Sequence, residues 1–139
     1  MPIQYRIDPD SEIILRRFTG DVTFEEFEQH WRALLSDPDL PERLVMVVDL
    51  RECNLHLHGD EISRLVITVI EPNLGRRRWF SAVVVAAPVQ YGISKQFIAY
   101  SRGCGVTDVF YDINEAVAWL HAAARLQEVP EPASGTYPP

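Results

Sequence analysis

Cysteine is almost absent from this chain: Cys53 and Cys104 are its only two. Two thiols so far apart form no disulfide framework and read as free thiols in a reducing compartment, with Cys104 a small filler of the tight Gly103-Cys104-Gly105 loop. No apolar run approaches the roughly 20 residues that span a bilayer. The start, Met1-Pro2-Ile3-Gln4-Tyr5-Arg6, lacks the basic-then-apolar order of a signal peptide, so a cytoplasmic protein with no transmembrane segment is expected. Basic excess is missing too. The net charge of −7 opposes nonspecific attraction to nucleic acid, and no nucleic-acid partner is expected. There is no G-x-S-x-G elbow, no phosphate-binding glycine loop and no dinucleotide fingerprint, so nothing requires an enzyme or a cofactor. No internal repeat interrupts the chain.

What is present fits one globular domain: 139 residues, 47% hydrophobic and 24% charged, enough for a single core. Ile3-Gln4-Tyr5-Arg6-Ile7 alternates as a half-buried strand does, and Asp8-Pro9-Asp10-Ser11 has turn chemistry before a second strand through Ile13-Ile14-Leu15 and Phe18. Gly20-Asp21 ends that strand. Thr23 and Glu26 form a capping box, and Phe24, Phe27, Trp31 and Leu34 mark the inner face of a first helix, stopped at Asp37-Pro38. The unbroken run Leu44-Val45-Met46-Val47-Val48 predicts a strand covered on both faces, ending at Asp49. A loop is expected over residues 50–59, then a helix from about Asp60 with Ile62, Leu65, Val66, Val69 and Ile70 inward, ended by Pro72-Asn73-Leu74-Gly75.

A strand over residues 80–86 follows, then a helix from near Gln90 to Arg102 with Gly103 as a left-handed cap. A short strand over 106–110 leads to a last helix begun by Asp112 and Glu115. The ordered domain is expected to span residues 1–125, with a proline-rich, flexible tail over 126–139. The sum is an α/β domain: a mixed, mostly parallel sheet of about five strands, opened by a β-hairpin and carrying about four helices.

Ligands in such sheets favour the carboxyl ends of the strands. There the segment after Asp49 is richest in chemistry. Asp49, Arg51, His56, His58 and Asp60, with Tyr91 from a neighbouring strand end, are the candidate binding residues. His56 and His58 in extended backbone share one side of the chain, and with Cys53 they make a weak alternative metal site. Arg76-Arg77-Arg78 beside Trp79 reads as a solvated connection at the opposite end of the sheet. Aromatics recur on the helices: Phe24, Phe27, Trp31, Tyr91, Phe97, Tyr100 and Trp119. If the helices splay from the sheet, such residues line a pocket for an apolar ligand.

The element order, the strand closing on Val47-Val48-Asp49-Leu50 and the last helix with Asp112, Glu115, Ala116, Trp119 and Leu120 resemble the STAS-like proteins. This is the fold of the anti-sigma-factor antagonists and, more closely here, of their SpoIIAA-like relatives in bacteria; the resemblance covers residues 3–123. It implies a regulatory module that binds a protein partner through a switch serine at the start of the helix after the Asp-Leu strand. The matching stretch here, His56-Leu57-His58-Gly59-Asp60, has no hydroxyl, and Ser63 falls inside the helix. Asp60 is there either a fixed negative charge or an ordinary helix cap.

Three functions follow as expectations. The first is a nonenzymatic regulatory or protein-interaction module without the phosphorylatable serine. The second is a carrier of an apolar or small acyl ligand between helices and sheet. The third is a metal-assisted enzyme at His56 and His58. A protein partner, an apolar small molecule and a homo-oligomer are each compatible with the sequence.

Overall fold

Asp8 closes the opening hairpin. Its carboxylate accepts from the Ser11 amide (2.9 Å) and hydroxyl (2.7 Å), the Asx-type turn that Asp and Ser favour. The turn joins β1 (Ile3–Ile7) to β2 (Ile14–Thr23), which pair antiparallel with Ile3 opposite Phe18. The structure, a computed structural model, describes residues 2–128. Of the tail expected over residues 126–139, the part beyond Glu128 lies outside the described residues.

Five strands form one sheet in chain order, β1-β2-β3-β4-β5. Strands β3 (Leu44–His56), β4 (Trp79–Val84) and β5 (Gly105–Phe110) run parallel to β2 and to each other, giving the mixed, mostly parallel sheet expected. Between them lie α1 (Phe24–Leu35), a helical stretch built of α2 (Gly59–Leu65), a π-helical turn (Val66–Ile70) and α3 (Glu71–Leu74), and α4 (Pro88–Tyr100). These cover one face. The last helix, α5 (Ile113–Glu128), packs on β3, β4 and β5 from the other.

Two cores result. Leu44, Met46, Val48 and Leu50 of β3 turn toward α1, α2 and α4, whereas Val47 meets Ala82, Val84, Ala116 and Leu120 under α5. A strand buried on both sides has no polar face to show, which is why residues 44–48 read as an unbroken apolar run.

Three details differ from the sequence reading. Residues 50–56, expected as loop, continue β3, because β2 also continues past Gly20 to Thr23 and pairs with it: Thr19 opposite Glu52, Val22 opposite Leu55, Thr23 opposite His56. A register shift between Arg17 and Thr19 allows this extension. The second concerns detail within the stop expected over residues 72–75: the helix passes through Pro72 before it ends. The preceding π-helical turn is wider than an α turn, with the Glu71 amide bonding the Val66 carbonyl five residues back. That widening relieves the clash a proline ring makes with the preceding turn. The helical stretch ends at Gly75, whose φ of 66° favours glycine. Third, Gly103 is not left-handed. Helix α4 begins earlier, at Pro88, and ends by tightening into a 3₁₀ turn over Arg102–Cys104.

The strongest local signals hold. Thr23 caps α1 through both bonds of the box: its Oγ1 accepts from the Glu26 amide (3.2 Å), and its own amide donates to Glu26 (2.9 Å). Asp112 Oδ1 accepts from the Asn114 amide at 2.7 Å and begins α5.

Candidate functional site

Strand β2 alternates, and the alternation carries a charge inward. Ile14, Arg16 and Phe18 are buried while Leu15 and Arg17 are exposed, so Arg16, at 4% exposure, lies beneath the helical layer. On α1 the spacing Phe27, His30, Trp31 and Leu34 buries one face above it. Arg16 Nε donates to His30 Nε2 at 2.9 Å, and one terminal nitrogen lies 3.8 Å from Met46 Sδ. The guanidinium carbon sits 4.4 Å from the centroid of the Trp31 ring and 5.8 Å from that of Phe18. Among the described residues no carboxylate pairs with it.

Burial pushes the Arg16 pKa down to about 9, which leaves the group charged at neutral pH. The balance around it is uneven. Burying an unpaired cation costs several kcal/mol even after relaxation, whereas a desolvated cation–π contact returns about 2 kcal/mol. A hydrogen bond to a neutral acceptor adds about 1 kcal/mol. The aromatic and imidazole contacts therefore reduce the cost of Arg16 without cancelling it.

His30 must be neutral to accept from Arg16, so its proton sits on Nδ1. Burial first, and the Arg16 charge second, drive its pKa down to about 2. This has a consequence for acid stability. The unfolded chain binds a proton at this ring near pH 6.5 and the folded chain does not, so stability is complete above 6.5 and falls as pH drops toward the folded value. The expected loss is about 1.4 kcal/mol per pH unit, dominant between roughly pH 6 and 4.5, before the carboxylates titrate. Urea unfolding across that range should show the slope in the wild type. His30→Gln, which keeps an acceptor for Arg16 without a titrating ring, should flatten it; an equal slope in both proteins removes His30 from this role.

Beside Arg16 the structure holds a cavity of about 50 Å³, partly open to solvent, between the sheet and helices α1, α2 and α4. Phe18, Phe27, Trp31, Leu50, Ile62 and Phe97 supply much of its wall, and Leu55, Ile93 and Phe97 along it are only half-buried. The wall is ordered by ring packing: Phe97 stacks on Trp31 (6.0 Å, 16°) and meets Phe27 edge-on (6.2 Å, 80°). One donor in this wall is unsatisfied, since Trp31 Nε1 is buried with no hydrogen-bond partner among the described residues. Of the polar groups nearby, Ser94 Oγ donates to the Gln90 carbonyl, and Thr107 Oγ1 accepts from Trp79 Nε1.

Gln90 sets the position of α4 over this cavity. Its Oε1 accepts from the amides of Ala86 (2.7 Å) and Ala87 (3.1 Å), and its Nε2 donates to the Cys53 carbonyl (2.9 Å). One buried amide thus joins the end of β4, the start of α4 and the middle of β3.

The residues selected from sequence fall into separate groups. Asp49 and Arg51 satisfy each other through two 3.0 Å contacts between guanidinium and carboxylate, and the Arg51 hydrogen bond holds the Asp49 pKa below the usual range. His56, exposed, lies 3.0 Å from Asp21 across the β2–β3 pair. His58 precedes α2, its amide donating to Glu61 at 2.9 Å, and Asp60 occupies the first turn of that helix. Tyr91 is on α4, stacked on Tyr111 (5.9 Å, 11°) with the Lys95 ammonium 5.4 Å from its ring centre.

Cys53 does not join His56 and His58. It is buried, its Sγ donates to the Leu50 carbonyl at 3.3 Å, and burial pushes its thiol pKa up to about 12. Among the described residues no group of three or more histidine, cysteine or acidic side chains is placed to hold a metal ion.

Of the aromatics noted in the sequence, Phe27, Trp31 and Phe97 line the cavity, whereas Phe24, Tyr91, Tyr100 and Trp119 do not. Sequence reasoning missed Arg16 altogether. Its signal was there in the alternation Ile14-x-Arg16-x-Phe18, which puts an arginine on the apolar face of a strand.

No protein-family model matches the chain. No curated protein matches it either. Among solved structures it is similar to an uncharacterized protein from the DUF3478 family with a SpoIIAA-like fold, from Shewanella loihica PV-4. The two are 20% identical over 85% of this chain and 91% of that one, with a TM-score of 0.53. That likeness establishes the fold: a SpoIIAA-like α/β sandwich, as the sequence resemblance implied. It says nothing of a ligand.

Proposed function

We propose that the protein is a nonenzymatic binding module that holds a small acyl-type ligand in the cavity between its helical layer and its sheet. The observation that carries this reading is the cavity itself. It is walled by aromatic and aliphatic side chains, partly open, and edged by half-buried Leu55, Ile93 and Phe97. A packed core has few voids larger than a water. About 50 Å³ corresponds to roughly three or four water-sized units, the bulk of a short acyl group.

Ser94, buried on α4 and lining the cavity, offers the test. Ser94→Leu should fill the space. The variant is expected to lose about 1–3 kcal/mol of stability, the range for adding methylenes to a core, and to lose at least about tenfold in affinity for short-chain acyl probes, read by NMR titration. Undiminished binding in a folded Ser94→Leu protein would place the ligand elsewhere and end the cavity reading.

A second reading, a protein-interaction module, is favoured by one surface. Tyr91 and Tyr111 stack at the carboxyl ends of β4 and β5 with both rings exposed, and Val89 beside them is exposed as well. Exposed aromatics of this kind are the residues that anchor interfaces. Tyr91→Asp together with Tyr111→Asp should abolish recovery of a partner from the native host while leaving acyl binding intact. Equal partner recovery by this double variant and the wild type would dismiss the patch.

A further inference from the structure

Two side chains that line the cavity, Arg16 and Trp31, carry N–H donors for which the described residues offer no carboxylate. Arg16, buried and positively charged, lines it and meets only a neutral imidazole, a thioether and two aromatic faces. Trp31 lines it as well, and its buried indole N–H has no partner among the described residues. The two are adjacent, with the guanidinium 4.4 Å from the indole ring centre. A buried N–H left alone and a buried cation without a counter-ion are both rare in folded proteins, and each calls for an acceptor.

The geometry points to a carboxylate as that acceptor: Arg16 and Trp31 form the anion-recognising end of the cavity, and the ligand is a short-chain carboxylate whose apolar body lies along Phe27, Leu50 and Phe97. This rests on the cavity reading above and adds the chemistry of the ligand's polar end. A guanidinium offers a planar fork of N–H donors that matches a carboxylate in two parallel bonds. The other anion a guanidinium favours is phosphate, which carries more charge than the single cation Arg16 balances. Among the described residues the wall supplies no second cation, since Arg16 is the one charged residue lining it.

A matched set of probes tests this on the full chain: butyrate, the neutral butyramide, and propyl phosphate, titrated by NMR into the wild type and Arg16→Met. Butyrate is expected to bind at least about tenfold more tightly than butyramide, as a charge-assisted hydrogen bond in a dry site should give. In Arg16→Met, which keeps an apolar stem of similar length, that preference should shrink to about twofold or less. The ¹⁵Nε resonance of Arg16 in the wild type should shift with butyrate and stay in place with butyramide, a readout that stands even if the variant fails to fold.

Equal binding of butyrate and butyramide would overturn the carboxylate assignment and leave the cavity reading standing. Failure of every probe to bind would overturn both. Tighter binding of propyl phosphate than of butyrate would replace the carboxylate with a phosphate as the recognised group.

Discussion

Trp79→Ala is expected to remove about 3–5 kcal/mol of stability, the range for deleting a buried aromatic ring from a packed core. Trp79 is 1% exposed at the start of β4 and sits behind the cavity wall. Its ring packs at 5.4 Å on Trp31 and stacks at 6.1 Å on Phe97, two residues of the cavity wall. Its indole N–H donates to Thr107, and the next strand has been thinned to admit it. A Cβ on Gly105 would stand 2.3 Å from the Trp79 carbonyl oxygen, so only glycine lets β5 approach so closely.

The loss therefore combines transfer, cavity and ring-packing terms. It should appear in urea unfolding as a lower midpoint at unchanged slope. Trp79→Phe, which keeps the stack and loses the N–H, should lose much less. A cost below about 1 kcal/mol for the alanine variant would mean that Trp31 and Phe97 close over the gap unaided. The wall of the cavity would then be softer than its stacking suggests.

Gln90→Leu should be nearly as damaging, about 3 kcal/mol or more, although it exchanges a polar side chain for an apolar one of similar size. The reason is the asymmetry of buried hydrogen bonds: a group left unsatisfied costs about 1–3 kcal/mol, while the bond itself is worth less. Here three backbone groups, the amides of Ala86 and Ala87 and the carbonyl of Cys53, depend on one side-chain amide. Their loss falls where α4 is anchored, so the variant should also show faster amide exchange over residues 86–92 than over β3. Gln90→Glu is the informative companion, since it retains the acceptor and lacks the donor. Uniform exchange rates in Gln90→Leu would argue that α4 is held by its apolar face alone.

How much of this was legible follows from the range over which each signal acts. The hairpin turn, the capping box at Thr23, the Asp112 cap and the doubly buried run 44–48 are set by neighbours within a few residues, and the structure has them where the sequence put them. The end of β3 was not legible in that way. Residues 50–56 are strand because β2 runs on beside them after its register shift, a fact about another segment of the chain. Pro72 is carried inside the helical stretch, which ends at Gly75, for a related reason. Its usual veto on helix depends on the width of the preceding turn, and that turn is π-helical.

The candidate site divides along the same line. The sequence by itself determined an α/β domain of SpoIIAA-like element order, with no serine in the stretch 56–60 and with paired histidines near the strand ends. Only the tertiary structure decided that those histidines stand apart from Cys53 and that the thiol is buried. It alone brought Arg16 of β2, His30 and Trp31 of α1 and Phe97 of α4 around one cavity. Alternation and helical spacing state which way each side chain faces. What a buried charge finds when it gets there depends on the packing of α1 and α4 over β2. In this protein it finds aromatic rings, a neutral imidazole and no carboxylate among the described residues.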